Sequence, residues 1–89
     1  MKCLLIRYFL IKDETTFCEY PIGRGIFDVF NLDRMACFEI ETTPSSTIYE
    51  EKRALLQGLS RWIEVIIIDP KNYSNDFIVA IKQLSENIR

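Results

Sequence analysis

The chain of 89 residues contains no histidine. That absence excludes Ser-His and Cys-His nucleophilic catalysis and any His-ligated zinc centre. Cysteine is scarce. Cys3, Cys18 and Cys37 stand far apart, and no C-x-x-C pair occurs. An odd count without paired spacing argues against a secreted disulfide scaffold. The three thiols read as small apolar core residues and the chain as an intracellular, cytoplasmic one. A charge surplus of one sign is also missing, with 11 basic against 13 acidic residues and no block of like charge. Overall charge therefore gives no support to nucleic-acid binding, although a local basic patch stays open. Long apolar runs are absent too. The run "CLLIRYFLI" over residues 3–11 is too short to cross a bilayer and is interrupted by Arg7. No small-residue cleavage site follows it, which argues against a signal peptide. No membrane partner is expected.

What is present is apolar and β-branched. Apolar residues make up 48% of the chain, with 13 isoleucines, and Gly and Pro are at ordinary levels, which favours a folded core over disorder. The length allows one domain over residues 1–89, with one sheet and two or three helices.

Residues 3–12 fit either a helix or a buried strand. Leu4, Tyr8 and Ile11 recur at helical spacing, with Leu5 and Phe9 beside them, while Lys2, Arg7 and Lys12 can share the exposed side, which favours the helix. Residues 12–15 read as a loop. Strands are expected at 16–22, 25–30 and 35–42, with a turn at "NLDR" (31–34), and these form an antiparallel meander. Residues 43–59 predict a helix opened by Thr43-Pro44 or by the Thr47/Glu50 capping-box pair and closed near Gly58. Trp62 is expected to pack between that helix and the sheet. The continuous run "VIIID" (65–69) suits a strand covered on both faces, typically a parallel one. Ser74 would cap a last helix carrying Phe77, Ile81, Leu84 and Ile88. The expected fold is α/β, in the order αβββαβα, with a mixed four-stranded sheet flanked by helices.

Three carboxylates interrupt this pattern. Asp28, Glu39 and Glu41 lie inside otherwise apolar strands. A turn over 31–34 would set Phe30 opposite Met35 and Asp28 opposite Cys37. All three acids would then share one side of the sheet, with Asp28 and Glu39 as diagonal neighbours about 7–8 Å apart. Phe27, Val29, Phe38 and Ile40 would share the other side. Clustered carboxylates suit a hard cation such as Mg²⁺ or Mn²⁺, which polarises a phosphoryl oxygen or activates water. An open, solvated face with ordinary surface acids explains the same pattern.

The segment "GRGIFDVFNLDRMACFEIETTPSS", followed by a helix and "VIIID", resembles the PD-(D/E)XK nuclease superfamily in its E-x-E variant, over roughly residues 3–88. The resemblance implies a restriction-endonuclease-like core and a Mg²⁺- or Mn²⁺-dependent endonuclease that hydrolyses DNA phosphodiester bonds. It implies Asp28 and Glu39 as metal ligands, joined by the backbone carbonyl of Ile40. Glu41 takes the place of the superfamily's lysine. It would position the water, while Lys52 or Arg53 from the following helix would supply the missing positive charge. Arg24, in the "GRG" loop, and Arg53 are the candidate DNA contacts. So small a chain implies a homodimer or a specificity-giving protein partner. Two alternatives stand beside the enzyme: a nuclease-fold module without catalysis that binds DNA or protein, and an unrelated small α/β interaction domain.

Overall fold

The computed structural model describes residues 1–88; residue 89 lies outside it. The elements run α1 (Lys2–Ile11), β1 (Thr16–Ile22), β2 (Gly25–Asn31), β3 (Ala36–Ile40), α2 (Ser46–Leu55), β4 (Glu64–Ile68) and α3 (Phe77–Asn87). Short 3₁₀ turns occupy Gln57–Arg61 and Pro70–Asn72. The sheet order is β1-β2-β3-β4. β1, β2 and β3 are antiparallel neighbours, and β4 joins β3 in parallel. The architecture is therefore α/β, a mixed four-stranded sheet between helices. Among the described residues no helix is long and apolar enough to cross a membrane.

α1 is the helix favoured for this stretch, and Leu5 and Phe9, the neighbours of the expected stripe, are more deeply buried than its Leu4 and Ile11. Leu5, Tyr8 and Phe9 are buried, whereas Ile11 is 67% exposed. The helix closes with Asp13 in the left-handed region at φ 59°, where Glu14 N–H reaches back to Phe9 O and Asp13 N–H to Leu10 O. Asp tolerates that conformation better than most residues, and the two bonds satisfy carbonyls the helix end would leave open.

Alternation along the strands divides the core in two. Val29, Ala36, Phe38 and Ile68 pack with Leu5, Tyr8 and Phe9 of α1 and Leu84 of α3. Phe30, Cys37 and Val65 pack on the other side with Leu56 and Ile63, under α2. Phe27 breaks the expected pattern, since it joins the α2-side cluster and not Val29. The face changes at Asp28. There Glu19, on the neighbouring strand, takes a positive φ of 47°, and the β1–β2 register passes over both residues.

Other local expectations shift for identifiable reasons. The β2–β3 loop is residues 32–35, not 31–34. Asn31 stays in the strand, fully buried, and pairs with Ala36. Its side chain accepts from Arg34 N–H and donates to Glu14, which fixes the turn from inside the strand. Ser45, not Thr43 or Thr47, caps α2 by accepting from Ile48 N–H. α2 ends at Leu55, three residues before Gly58, because Gln57 adopts φ 57°. Asp76 caps α3, and Ser74 holds Asp76 N–H one step earlier. Trp62 is 70% exposed, because Leu56 and Ile63 fill the space beneath α2 that it was expected to take. Cys37 is buried, but Cys3 and Cys18 are exposed.

The "GRG" loop docks on the end of α2. Arg24 N–H donates to Leu55 O at 2.8 Å, capturing a carbonyl of the last helical turn. Gly23 sits at φ +61°, and a Cβ there would lie 2.3 Å from Leu55 O, so this close approach requires glycine.

Candidate functional site

The two-residue displacement of the β2–β3 register sets the site. With Val29 opposite Phe38, the next positions outward are Asp28 and Glu39, directly across from each other and not diagonal. The even loop length keeps them on one side of the sheet, as expected. The ladder itself runs only from Asn31↔Ala36 to Val29↔Phe38. Beyond it the side chains replace the missing backbone bonds. Asp28 N–H donates to Glu39 Oε1 at 2.9 Å, and Ile40 N–H donates to Asp28 Oδ2 at 2.9 Å. Each acid thus satisfies a part-buried main-chain donor on the opposite strand.

Glu39 is 4% exposed and Asp28 half-buried. Lys52 descends from α2 and places Nζ 3.3 Å from Glu39 Oε2. Burial raises the Glu39 pKa above the ordinary carboxylate range, and the Asp28 charge adds to the rise. The Asp28 N–H bond and the Lys52 ammonium offset part of it. Cys37 lies two residues from Glu39, its thiol pushed up to about 12 by burial and by the Glu39 charge. It is therefore no nucleophile at neutral pH.

Of the residues singled out in the sequence, Asp28, Glu39, Ile40 and Lys52 come together. Ile40 turns its N–H toward β2, and in an extended strand its carbonyl faces the same side. Glu41 does not join them in a three-acid cluster. Its N–H pairs with Ile68 O, and no group of three or more His, Cys, Asp or Glu able to hold a metal occurs among the described residues. Arg53 is exposed and lines a different cleft, with Tyr49 and Trp62. Arg24 is exposed on the docked loop. The bond from each acid to a main-chain N–H of the opposite strand was not foreseen; direct opposition across a correctly counted hairpin is the signal that predicts it.

No match emerges from a scan against family models, from the curated proteins or from the solved structures. The site's own chemistry must carry the functional argument.

That chemistry suits a small hard cation. Mg²⁺ is commonly held by one or two carboxylates while keeping several waters, so a third acid is not required. Asp28 and Glu39 set two negative groups side by side in a partly dry place, and the Glu39 pKa is raised by burial first and by the Asp28 charge second. One oxygen of each is committed to a backbone N–H. The remaining Asp28 oxygen and the Ile40 carbonyl are the donors left, and the second Glu39 oxygen is shared with the Lys52 ammonium.

Proposed function

We propose that the protein is a metal-dependent endonuclease of the PD-(D/E)XK type that hydrolyses phosphodiester bonds in DNA. The observation that carries this is the Asp28–Glu39 pair, Glu39 buried and Asp28 half-buried, with Lys52 on the second Glu39 oxygen. Asp28, Glu39 and the Ile40 carbonyl would hold Mg²⁺ or Mn²⁺. The metal supplies polarisation of the phosphoryl oxygen and a water acidic enough to attack at neutral pH. Lys52 favours the ionised form of Glu39 against its burial and orients it, and it would bring positive charge from the helix, where the superfamily's lysine would stand at Glu41. Glu41, at the strand end, would position the water. Arg24 and Arg53 would contact the DNA backbone. A restriction-endonuclease-like topology is part of this proposal, supported by the αβββαβα order and the parallel β3–β4 pair. Two cuts on a duplex need two sites, so we infer a homodimer or a protein partner that gives specificity.

A second function class has its own supporting observation. Each carboxylate already serves a backbone N–H across the splayed strands, so the pair also works as a structural clasp. That favours a nuclease-fold module that binds DNA or protein without cutting.

Cleavage of linear, single-stranded and branched DNA with Mn²⁺ separates the two. The enzyme predicts cutting by the wild type that is lost in Asp28→Asn and Glu39→Gln variants still folded by circular dichroism. No cutting on any substrate, together with no rise in melting temperature on adding Mn²⁺, rules the enzyme out and leaves the module.

A further inference from the structure

We propose a second ligand site, independent of the carboxylate pair: a cleft for a phosphorylated nucleotide, with the phosphate held by arginines and the base stacked on Trp62. The cleft of about 340 Å³ lies between the β2–β3 loop, one side of α2 and the turn leading into β4. It opens toward the start of β3, where Arg34 and Met35 precede the strand, whereas Glu39 lies near the strand's far end. Arg34, Arg53, Arg61, Tyr49 and Trp62 line it, with Glu64 as the acid in the wall.

The charges differ in how they are held. Arg34 is fixed by a two-pronged contact with Glu14, and its guanidinium centre lies 5.1 Å from the Phe9 ring centroid. Arg53 and Arg61 are exposed, and among the described residues neither makes an ion pair. Two guanidinium groups with no ion pair among the described residues therefore line one concavity, which holds a single acid, Glu64, in a chain whose net charge is -2. Guanidinium forks match phosphate oxygens in two-point hydrogen bonds.

Trp62 supplies the other half. It is the chain's only tryptophan, and 70% of it remains exposed although it follows the 3₁₀ turn directly. A large flat ring left in water beside unpaired guanidinium groups offers a stacking platform. Bases stack on aromatic side chains whatever their identity, because each presents a π-face. The volume is at the low end for small-molecule sites, enough for one nucleotide and too small for a duplex. Arg and Trp also recur at protein interfaces. Here the concave shape and the unpaired cations favour an anionic ligand over an apolar side chain.

The nucleotide's source is either a free mononucleotide or a single strand, and one titration distinguishes them. Trp62 emission reports this site alone. The full chain is titrated in EDTA with thymidine monophosphate, thymidine, inorganic phosphate and a short single-stranded thymidine oligonucleotide. Saturable quenching by the monophosphate, at least tenfold weaker with thymidine, is expected. An oligonucleotide binding tenfold tighter than the monophosphate assigns the site to a strand; equal binding assigns it to the free nucleotide. Arg53→Gln and Arg61→Gln should each weaken binding severalfold. Quenching by no probe overturns the proposal, as does equal quenching by thymidine and its monophosphate, or affinity unchanged in both arginine variants. No metal and no cleavage enter the titration, so it fails or succeeds separately from the nuclease proposal.

Discussion

Replacing Lys52 with Met tests whether the acid pair is held by charge. The substitution keeps the aliphatic stem and removes the ammonium 3.3 Å from Glu39 Oε2. Removing one partner of a fully buried ion pair costs about 3–5 kcal/mol, and an exposed pair contributes about 0–1 kcal/mol. The Glu39 side chain is 5% exposed but that of Lys52 is 26% exposed, which places the expected loss between these limits, at about 2 kcal/mol. A chain of this length has an unfolding entropy of about 0.19 kcal/mol/K, so the melting temperature should fall by about 10 °C. The loss should depend on pH. Glu39 has a raised pKa in the folded state, and the variant raises it further. Its ionised form therefore weakens folding as pH rises through the folded value, and the penalty vanishes below the unfolded value of about 4.3. Thermal unfolding followed by circular dichroism at pH 4 and pH 8 measures both. The two proteins should melt close together at pH 4 and diverge at pH 8. Adding Mn²⁺ at pH 8 should restore part of the gap, because a cation at the pair takes over the missing charge. A gap equal at both pH values, or none at either, refutes the ion-pair account.

Gly23→Ala places a Cβ against Leu55 O and a methyl-bearing residue at φ +61°, so the "GRG" loop must lift from α2. Left-handed strain and the lost Arg24–Leu55 bond together cost about 2–4 kcal/mol. Gly58→Ala, with nothing within 4 Å of its Cβ, should leave the melting temperature nearly unchanged. Arg34 holds Glu14 below the ordinary carboxylate range by hydrogen bonding. Its stabilisation is therefore present above the unfolded value of about 4.3 and fades as pH falls below it. Over that acid range Glu14→Gln should lose less stability than the wild type, as read by melting temperature against pH.

The element order was legible because most segments carried a consistent period and punctuation. The apolar run of β4 and the α3 repeat each matched one kind of element, whereas residues 3–12 fitted helix or strand until their shared charged side favoured the helix. The register was not legible to the residue. Asn31 reads as a turn former and does accept from Arg34 N–H within the turn, yet its tertiary bond to Glu14 holds it in the strand, and the pairing moves by two. Parity survived because both loops contain an even number of residues, so the acids stayed on one side. Phe27 was misplaced because strand alternation assumes an unbroken pleat, and the distortion at Glu19 and Asp28 carries no local sequence signal. Lys52 was named from the resemblance, but its distance to Glu39 depends on how α2 lies across the sheet. Trp62 was assigned to the core on hydrophobicity alone, which cannot tell a packed ring from one left facing a cleft.

The two halves of the core differ in when they can form. The α2-side cluster draws on residues 22–65, a central stretch linked by short connections. The other cluster joins Leu5, Tyr8 and Phe9 to Leu84 and Ile88, and the Tyr8 hydroxyl donates to Ile88 O across 80 positions of sequence. Closing so long a loop is entropically costly and kinetically late. During synthesis α1 therefore emerges with an apolar face that has no helical partner until α3 follows. The middle hairpins and α2 can assemble first, with Asp28, Glu39 and Lys52 already among them, before α1 and α3 seal the opposite side.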